Sequence, residues 1–198
     1  MDNNALFKLS YGLFVLTARQ DGKDNGCIIN TCGMVTETPT RIQITVNKQN
    51  LTHDMVASTG LFNISVLTEE ATFWVFQHYG FQSGREVDKF ADLPEVRTEN
   101  GLRYVVGCTN AVISGKVVQQ IDLGTHTLFI ADVTEAKTLD AAPSATYQYY
   151  FDHIKPKPQP TNPESWVCTI CSYVHEGELP ADFICPWCKH GVDAFEKQ

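Results

Sequence analysis

Two C-x-x-C pairs, Cys168-Thr169-Ile170-Cys171 and Cys185-Pro186-Trp187-Cys188, stand thirteen residues apart near the end of this 198-residue chain. No other feature restricts so tightly what the chain can fold into. Each pair makes a tight turn that aims two thiolates at one point, and two facing turns complete a tetrahedron. Chiefly zinc or iron suits four sulfurs in that geometry. The surrounding segment, residues 165–198, is too short to bury a self-sufficient core, so a metal there is structural whatever else it does. Trp166, Tyr173, Phe183, Trp187 and Phe195 supply aromatics to close around the sulfurs.

Paired disulfides are the other use of four cysteines. The count argues against them: seven cysteines is odd, and Met1-Asp2-Asn3-Asn4-Ala5 has neither the basic nor the apolar region of an export signal. A reducing, cytoplasmic compartment is therefore expected, with Cys27, Cys32 and Cys108 as free thiols. No apolar run approaches the roughly 18 residues of a membrane span. A net charge of −8 disfavours a nucleic-acid surface.

Over the whole chain, 43% hydrophobic and 19% charged residues fit a globular protein with a sizeable core. Leu13 to Ala18 reads as a buried strand, and Asp2 to Ser10 as a short helix. Asp21 to Gly26 is dense in turn residues. Cys27 to Val35 reads as extended. Ile42, Ile44 and Val46 alternate with Arg41, Gln43 and Thr45, the period of a half-buried strand. A helix capped by Asn50 or Thr52 runs to Ser58 and ends at Gly60. Phe62, Ile64 and Val66 alternate as a further strand. A second helix is expected from Glu69 to His78, capped by Thr68. Thr109–Gln119 and Thr125–Thr134 read as long strands turned at Gly124, and Thr146 to Phe151 as a short closing element. Many strands with short helices predict a mostly antiparallel barrel. Pro156, Pro158, Pro160 and Pro163 then mark a stiff spacer. The expected division is a barrel at 1–152, a linker at 153–164 and a metal module at 165–198.

From residue types alone, the link between strand and helix at Asn47, Lys48, Asn50 and Thr52 is an anion site, to which Arg85 and Lys89 can add charge. Ordinary caps and solvated ions explain the same residues. No G-x-G-x-x-G follows a strand, so a Rossmann dinucleotide site is unsupported.

The tail resembles rubredoxins in Trp166-Val167-Cys168-Thr169-Ile170-Cys171-Ser172-Tyr173, Glu176-Gly177, Pro180, Cys185-Pro186-Trp187-Cys188 and Phe195-Glu196. In that family the four cysteines hold one iron that carries one electron. Ser172 and Lys189 stand where rubredoxins usually have glycine, which keeps a structural zinc ribbon as the alternative. The upstream part is similar to flavin-reductase-like proteins of the flavoredoxin type. That likeness lies in Leu16-Thr17-Ala18-Arg19, Asn25 to Cys32, Val46 to His53, Phe62 to Leu67, Ser83 to Phe90 and His126 to Val133, in order across most of residues 9–151.

The resemblance implies an FMN-binding split β-barrel that pairs into a homodimer. By it, Asn30, Thr31 and Cys32 lie along the flavin ring, and Lys48, Asn50, Leu51 and Thr52 hold the phosphate end. Arg85 and Lys89 reach the phosphate or ribityl chain. His126 lies near the ring, and His126 and Cys32 are the catalytic candidates. The fold class expected is mainly β, with a small rubredoxin-like metal ribbon. The function implied carries electrons from NADH or NADPH through FMN to iron and on to an acceptor such as a flavodiiron protein. The alternative is a flavin reductase that releases reduced flavin, with a zinc ribbon for docking.

Overall fold

The computed structural model describes residues 5, 8–159 and 164–197. The helix expected between Asp2 and Ser10 falls largely outside these residues, as do Pro160 and Pro163 of the spacer. Among the described residues ten strands form two sheets, one of seven strands and one of three.

In the larger sheet, β1 (Phe14–Gln20) and β2 (Lys23–Ile29) form a hairpin across Asp21 and Gly22, both at positive φ (51° and 80°). Two central residues at positive φ match the right-handed twist of the flanking strands. The turn expected over Asp21–Gly26 is thus only two residues long. Lys23 to Gly26 are strand because their polar side chains are paired, not solvated: Asp24 accepts from Arg97 Nη1 and Nη2 (3.0 and 2.8 Å), and Asn25 donates to Thr52 Oγ1 (2.9 Å).

β3 (Cys32–Glu37) and β4 (Thr40–Asn47) follow, then α1 (Leu51–Thr59), β5 (Leu61–Leu67) and α2 (Phe73–Gly80). The alternation read in β4 is realised, with Ile42, Ile44 and Val46 all buried. α1 starts after Asn50 and stops at Gly60, as expected, although the Asn50 side chain makes no capping bond. α2 starts later than expected, with Thr72 as its N-cap. Thr68 instead bridges Ser144, and Glu69 N–H donates to Pro143 O (3.0 Å). That pairing holds the backbone extended, so Glu69 and Glu70 lie before the helix rather than in its first turn.

β6 (Thr109–Asp122) and β7 (His126–Thr138) form a long hairpin turned at Gly124, with register shifts at Ser114/Gly115 and Val117/Gln119. Such bulges increase local twist and let a sheet coil. The order is β2-β1-β5-β6-β7-β4-β3, antiparallel throughout. β2 and β3 are consecutive in the chain yet form the two edges. Cys27 and Ile29 of β2, Cys32 of β3 and Phe129 of β7 nevertheless join one core. Edges can share a core only if the sheet coils around it, giving a barrel split between β2 and β3.

A second cluster packs Val75, Phe76 and Tyr79 of α2 against Leu13, Val15, Phe90 and Tyr150. The chain then passes through a short helix (Tyr147–Tyr149) and a π-helical turn (Tyr150–Ile154). The small sheet has order β10-β8-β9, from β8 (Trp166–Cys168), β9 (Val174–His175) and β10 (Phe195–Lys197). No helix among the described residues is long and apolar enough to cross a membrane.

Candidate functional site

The sulfur atoms of Cys168, Cys171, Cys185 and Cys188 all lie within 4.8 Å of one another, with 3.5 Å between Cys168 and Cys188 and 3.4 Å between Cys171 and Cys185. A tetrahedron with metal–sulfur bonds of about 2.3 Å has edges of about 3.8 Å, so the four thiols fit one ion. All four are buried, inside a shell that includes Phe195, Trp166 and Tyr173. Burial would raise the Cys168 thiol, but backbone N–H groups of Cys171 and Ile170, with the neighbouring thiols, hold it below its ordinary value. Burial pushes Cys171 and Cys188 up, opposed by the N–H groups of Tyr173 and His190. Donors aimed at sulfur are the elements that tune such a centre.

Both turns are left-handed where the second cysteine of each pair is followed by a side chain: Ser172 has φ 65° and Lys189 φ 61°. Each residue costs roughly 1–2 kcal/mol in that conformation. The metal-binding turns keep their geometry despite the missing glycines.

A cleft of about 250 Å³ opens between the barrel and this module. One wall is the start of α1, where Asn50, Leu51 and Thr52 line it. The first N–H groups of a helix have no intrahelical partner and carry partial positive charge. The floor holds Lys89, only 3% exposed, whose Nζ donates to Gly26 O and Tyr79 O (both 2.9 Å). An ammonium has three donors, so one remains. Desolvation lowers Lys89 to about 8. Burial also raises the Cys27 thiol, so it stays neutral and provides no counter-charge. The Asn25 Oδ1 atom is buried without a hydrogen-bond partner, and Gly84 packs so closely on that amide that a Cβ there would collide with it. Glu86 lies at the rim, and Cys188 and Lys189 come from the metal module. The arrangement is a partly buried cation site open to an anion.

The residues singled out by sequence divide into three groups. Asn50, Leu51, Thr52 and Lys89 meet in the cleft. Lys48 and Arg85 are turned away into ion pairs, with Asp122 (2.6 Å) and Asp54 (2.7 Å). Asn30, Thr31, Cys32 and His126 lie at the same end of the sheet but outside the cleft. Thr31 Oγ1 donates to Thr45 O (2.6 Å), Cys32 pairs with Ile44, and His126 opens β7 opposite Asn47. Burial pushes the Cys32 thiol up to about 12, which favours the neutral thiol over the thiolate. His126 Nδ1 lies 2.8 Å from Thr125 Oγ1.

Asn25, Cys27, Gly84 and Lys189 are cleft residues that residue-by-residue reading missed. Asn25 sits in a stretch read as turn and Cys27 in one read as extended. Sequence gave no sign that the two domains touch. A larger cavity of about 330 Å³ lies between Phe76, Tyr150 and Ile170, but its lining is mainly apolar, and the polar chemistry is in the smaller cleft.

Two known families match the chain. Residues 6–157 match the flavin reductase like domain family, and residues 166–196 the rubredoxin-like domain of rubrerythrin. The chain is 36% identical over 229 residues to a high molecular weight rubredoxin of Moorella thermoacetica, covering 100% of both chains. It is 37% identical over 150 residues to a ferric-chelate reductase (NAD(P)H) of Archaeoglobus fulgidus, covering 76% of this chain and 89% of that one. The structure of a flavoredoxin from Methanosarcina acetivorans superposes with a TM-score of 0.63 at 20% identity, covering 73% of this chain and 80% of the other. The chain belongs to the flavin reductase-like family, as an oxidoreductase whose split barrel continues into a rubredoxin-like four-cysteine domain.

Proposed function

We propose that the protein passes reducing equivalents from NADH or NADPH through FMN to an iron held by Cys168, Cys171, Cys185 and Cys188, and on to an external acceptor protein such as a flavodiiron protein. The observation that carries this reading is the shared cleft: Cys188, a metal ligand by geometry, lines the same depression as Lys89 and the start of α1. Bound FMN supplies the conversion between a two-electron hydride donor and a one-electron metal centre.

The residues present suit FMN. Lys89 and the first N–H groups of α1 match a phosphate. The cleft is smaller than the roughly 300–1,000 Å³ of sites that enclose a ligand of drug size. It therefore takes the phosphate end, and the ring extends toward Asn30, Thr31, Cys32 and His126. Cys32 serves there as packing against the ring rather than as a reacting thiol. The relative named as a ferric-chelate reductase (NAD(P)H) supports a nicotinamide donor.

A homodimer completes the proposal. Met34 (70% exposed) and Val35 lie on edge strand β3, with Val118 and Leu123 exposed on β6 and the turn after it. An exposed apolar edge strand is a surface that proteins ordinarily cover. The boundaries at 1–152, 153–164 and 165–198 and a cytoplasmic setting belong to the same reading, in keeping with seven free cysteines.

Anaerobic purification without added zinc, followed by metal analysis and absorption spectroscopy, tests the metal. One iron per chain is expected, and one zinc with no iron, also after reconstitution, overturns the relay in favour of a docking ribbon. Stopped-flow mixing with NADH and NADPH tests the flavin half: bleaching of bound FMN by at least one of them is expected.

A further inference from the structure

The geometry points to Lys189 as a flavin-phosphate ligand supplied by the metal module, so that the module's docking and the binding of FMN support each other. The inference rests on the flavin reading above and deepens it.

Three observations converge on this residue. First, Lys189 lines the cleft whose opposite wall and floor are the start of α1 and the buried ammonium of Lys89. A phosphate dianion seated there has room for a second cation, and Lys89 alone leaves part of its charge uncompensated. Second, the module is seated so that this turn faces the cleft. Trp187 packs on Phe73 of α2 with ring centroids 5.9 Å apart, Phe81 packs against the cysteine shell, and Lys155 Nζ donates to Thr169 O (3.2 Å). Third, Lys189 stands at φ 61°, a conformation that favours glycine. A long charged side chain held in strained backbone is a sign of use elsewhere than in the turn. Its backbone does the ordinary work, with Lys189 N–H donating to Cys185 O (2.9 Å). Its ammonium has no ion-pair partner among the described residues, while Lys48, the cation expected at this place from sequence, is bound to Asp122.

Ser172 is the internal control. It holds the matching position in the other turn, at φ 65°, but is buried and does not line the cleft. Nothing in the structure explains why it is not glycine.

The test measures dissociation constants of FMN and of riboflavin, which lacks the phosphate, by flavin fluorescence quenching on the full-length, metal-loaded protein. Wild type is compared with Lys189→Gly, Lys189→Gln and Ser172→Gly, with metal content checked by absorption. Both Lys189 variants should weaken FMN about tenfold at low salt, the scale of one charge-assisted hydrogen bond, and leave riboflavin unchanged. The difference should shrink in high salt, and Ser172→Gly should bind both flavins as wild type does. Unchanged FMN affinity in both Lys189 variants overturns the inference. So does an equal loss of FMN and riboflavin, which would place Lys189 in packing rather than at the phosphate. Failure of the wild-type protein to bind FMN at all would remove the flavin reading itself.

Discussion

Lys89 is a buried ammonium held by two carbonyl oxygens, with no carboxylate paired to it among the described residues. Its lowered pKa, about 8, makes its charge depend on pH in the working range. In the unfolded chain Lys89 binds its proton up to about 10.4. Between those values the unfolded state holds more protons, so raising pH through that window stabilises the flavin-free protein. FMN affinity runs the other way, because the phosphate needs the ammonium. The FMN dissociation constant should rise by up to about tenfold per pH unit above pH 8, with riboflavin binding flat. Lys89→Met should abolish that pH dependence and weaken FMN at pH 7 by about tenfold or more, as read by fluorescence titration. An FMN profile that stays sloped in the variant would assign the titration to another group. Ser172 offers a smaller test of backbone strain. Ser172→Gly should raise the unfolding free energy of the module, read by denaturant titration of the metal-loaded protein, by about 0.5–1 kcal/mol, the relief of a left-handed residue less the added freedom of glycine.

At the level of elements, the loop between α2 and β6 is held by one carboxylate on β2. Asp24, with a side chain 10% exposed, receives Arg97 at 2.8 Å and lies within 3.6 Å of Arg19 and 3.5 Å of Arg103. Glu95 also reaches Arg97 (2.7 Å) and Arg103 (3.6 Å) but is itself exposed, so removing Asp24 leaves the partly buried guanidinium groups only partly compensated, which costs on the order of 1–3 kcal/mol. Asp24→Asn should lower stability by about that much in a urea melt and speed protease cleavage between Pro94 and Gly107. Cleavage at the wild-type rate would show that the loop is held by Asn63, which donates to Thr98 Oγ1, Leu102 O and Arg103 O, rather than by charge. The same cluster explains where sequence reading succeeded and where it did not. Strands β4, β5, β6 and β7 were legible because their apolar period is local. Lys23 to Gly26 read as turn because the partners that make their polar side chains strand-compatible, Arg97 and Thr52, are distant in the chain. The start of α2 failed for a related reason: the pairing of Thr68 with Ser144 is invisible to any window of a dozen residues. The metal ligands were legible because their chemistry is written in local spacing, whereas the cleft is an assembly of four separate stretches of chain.

On the scale of the whole molecule, the metal module depends on its ion and the barrel does not. Residues 164–197 contribute three short strands and an inner shell of cysteines and aromatics, too little to fold without metal. The barrel has two apolar clusters of its own. Cys171, fully buried, is one of the four sulfurs. Cys171→Ser should therefore release the ion and unfold the module, undoing the contacts of Trp187 with Phe73 and of Phe81 with the cysteine shell. Reduction of an external acceptor should be lost. Bleaching of FMN by the nicotinamide should persist at saturating flavin, because Lys89 and the start of α1 remain in place. FMN affinity should fall to the level of Lys189→Gly, since the module no longer presents that lysine to the cleft. Two rates and one dissociation constant thus separate the possibilities. Loss of both activities with a lowered melting temperature of the barrel would mean that the two parts fold as one, whereas retained FMN affinity would mean that the module adds nothing to the flavin site.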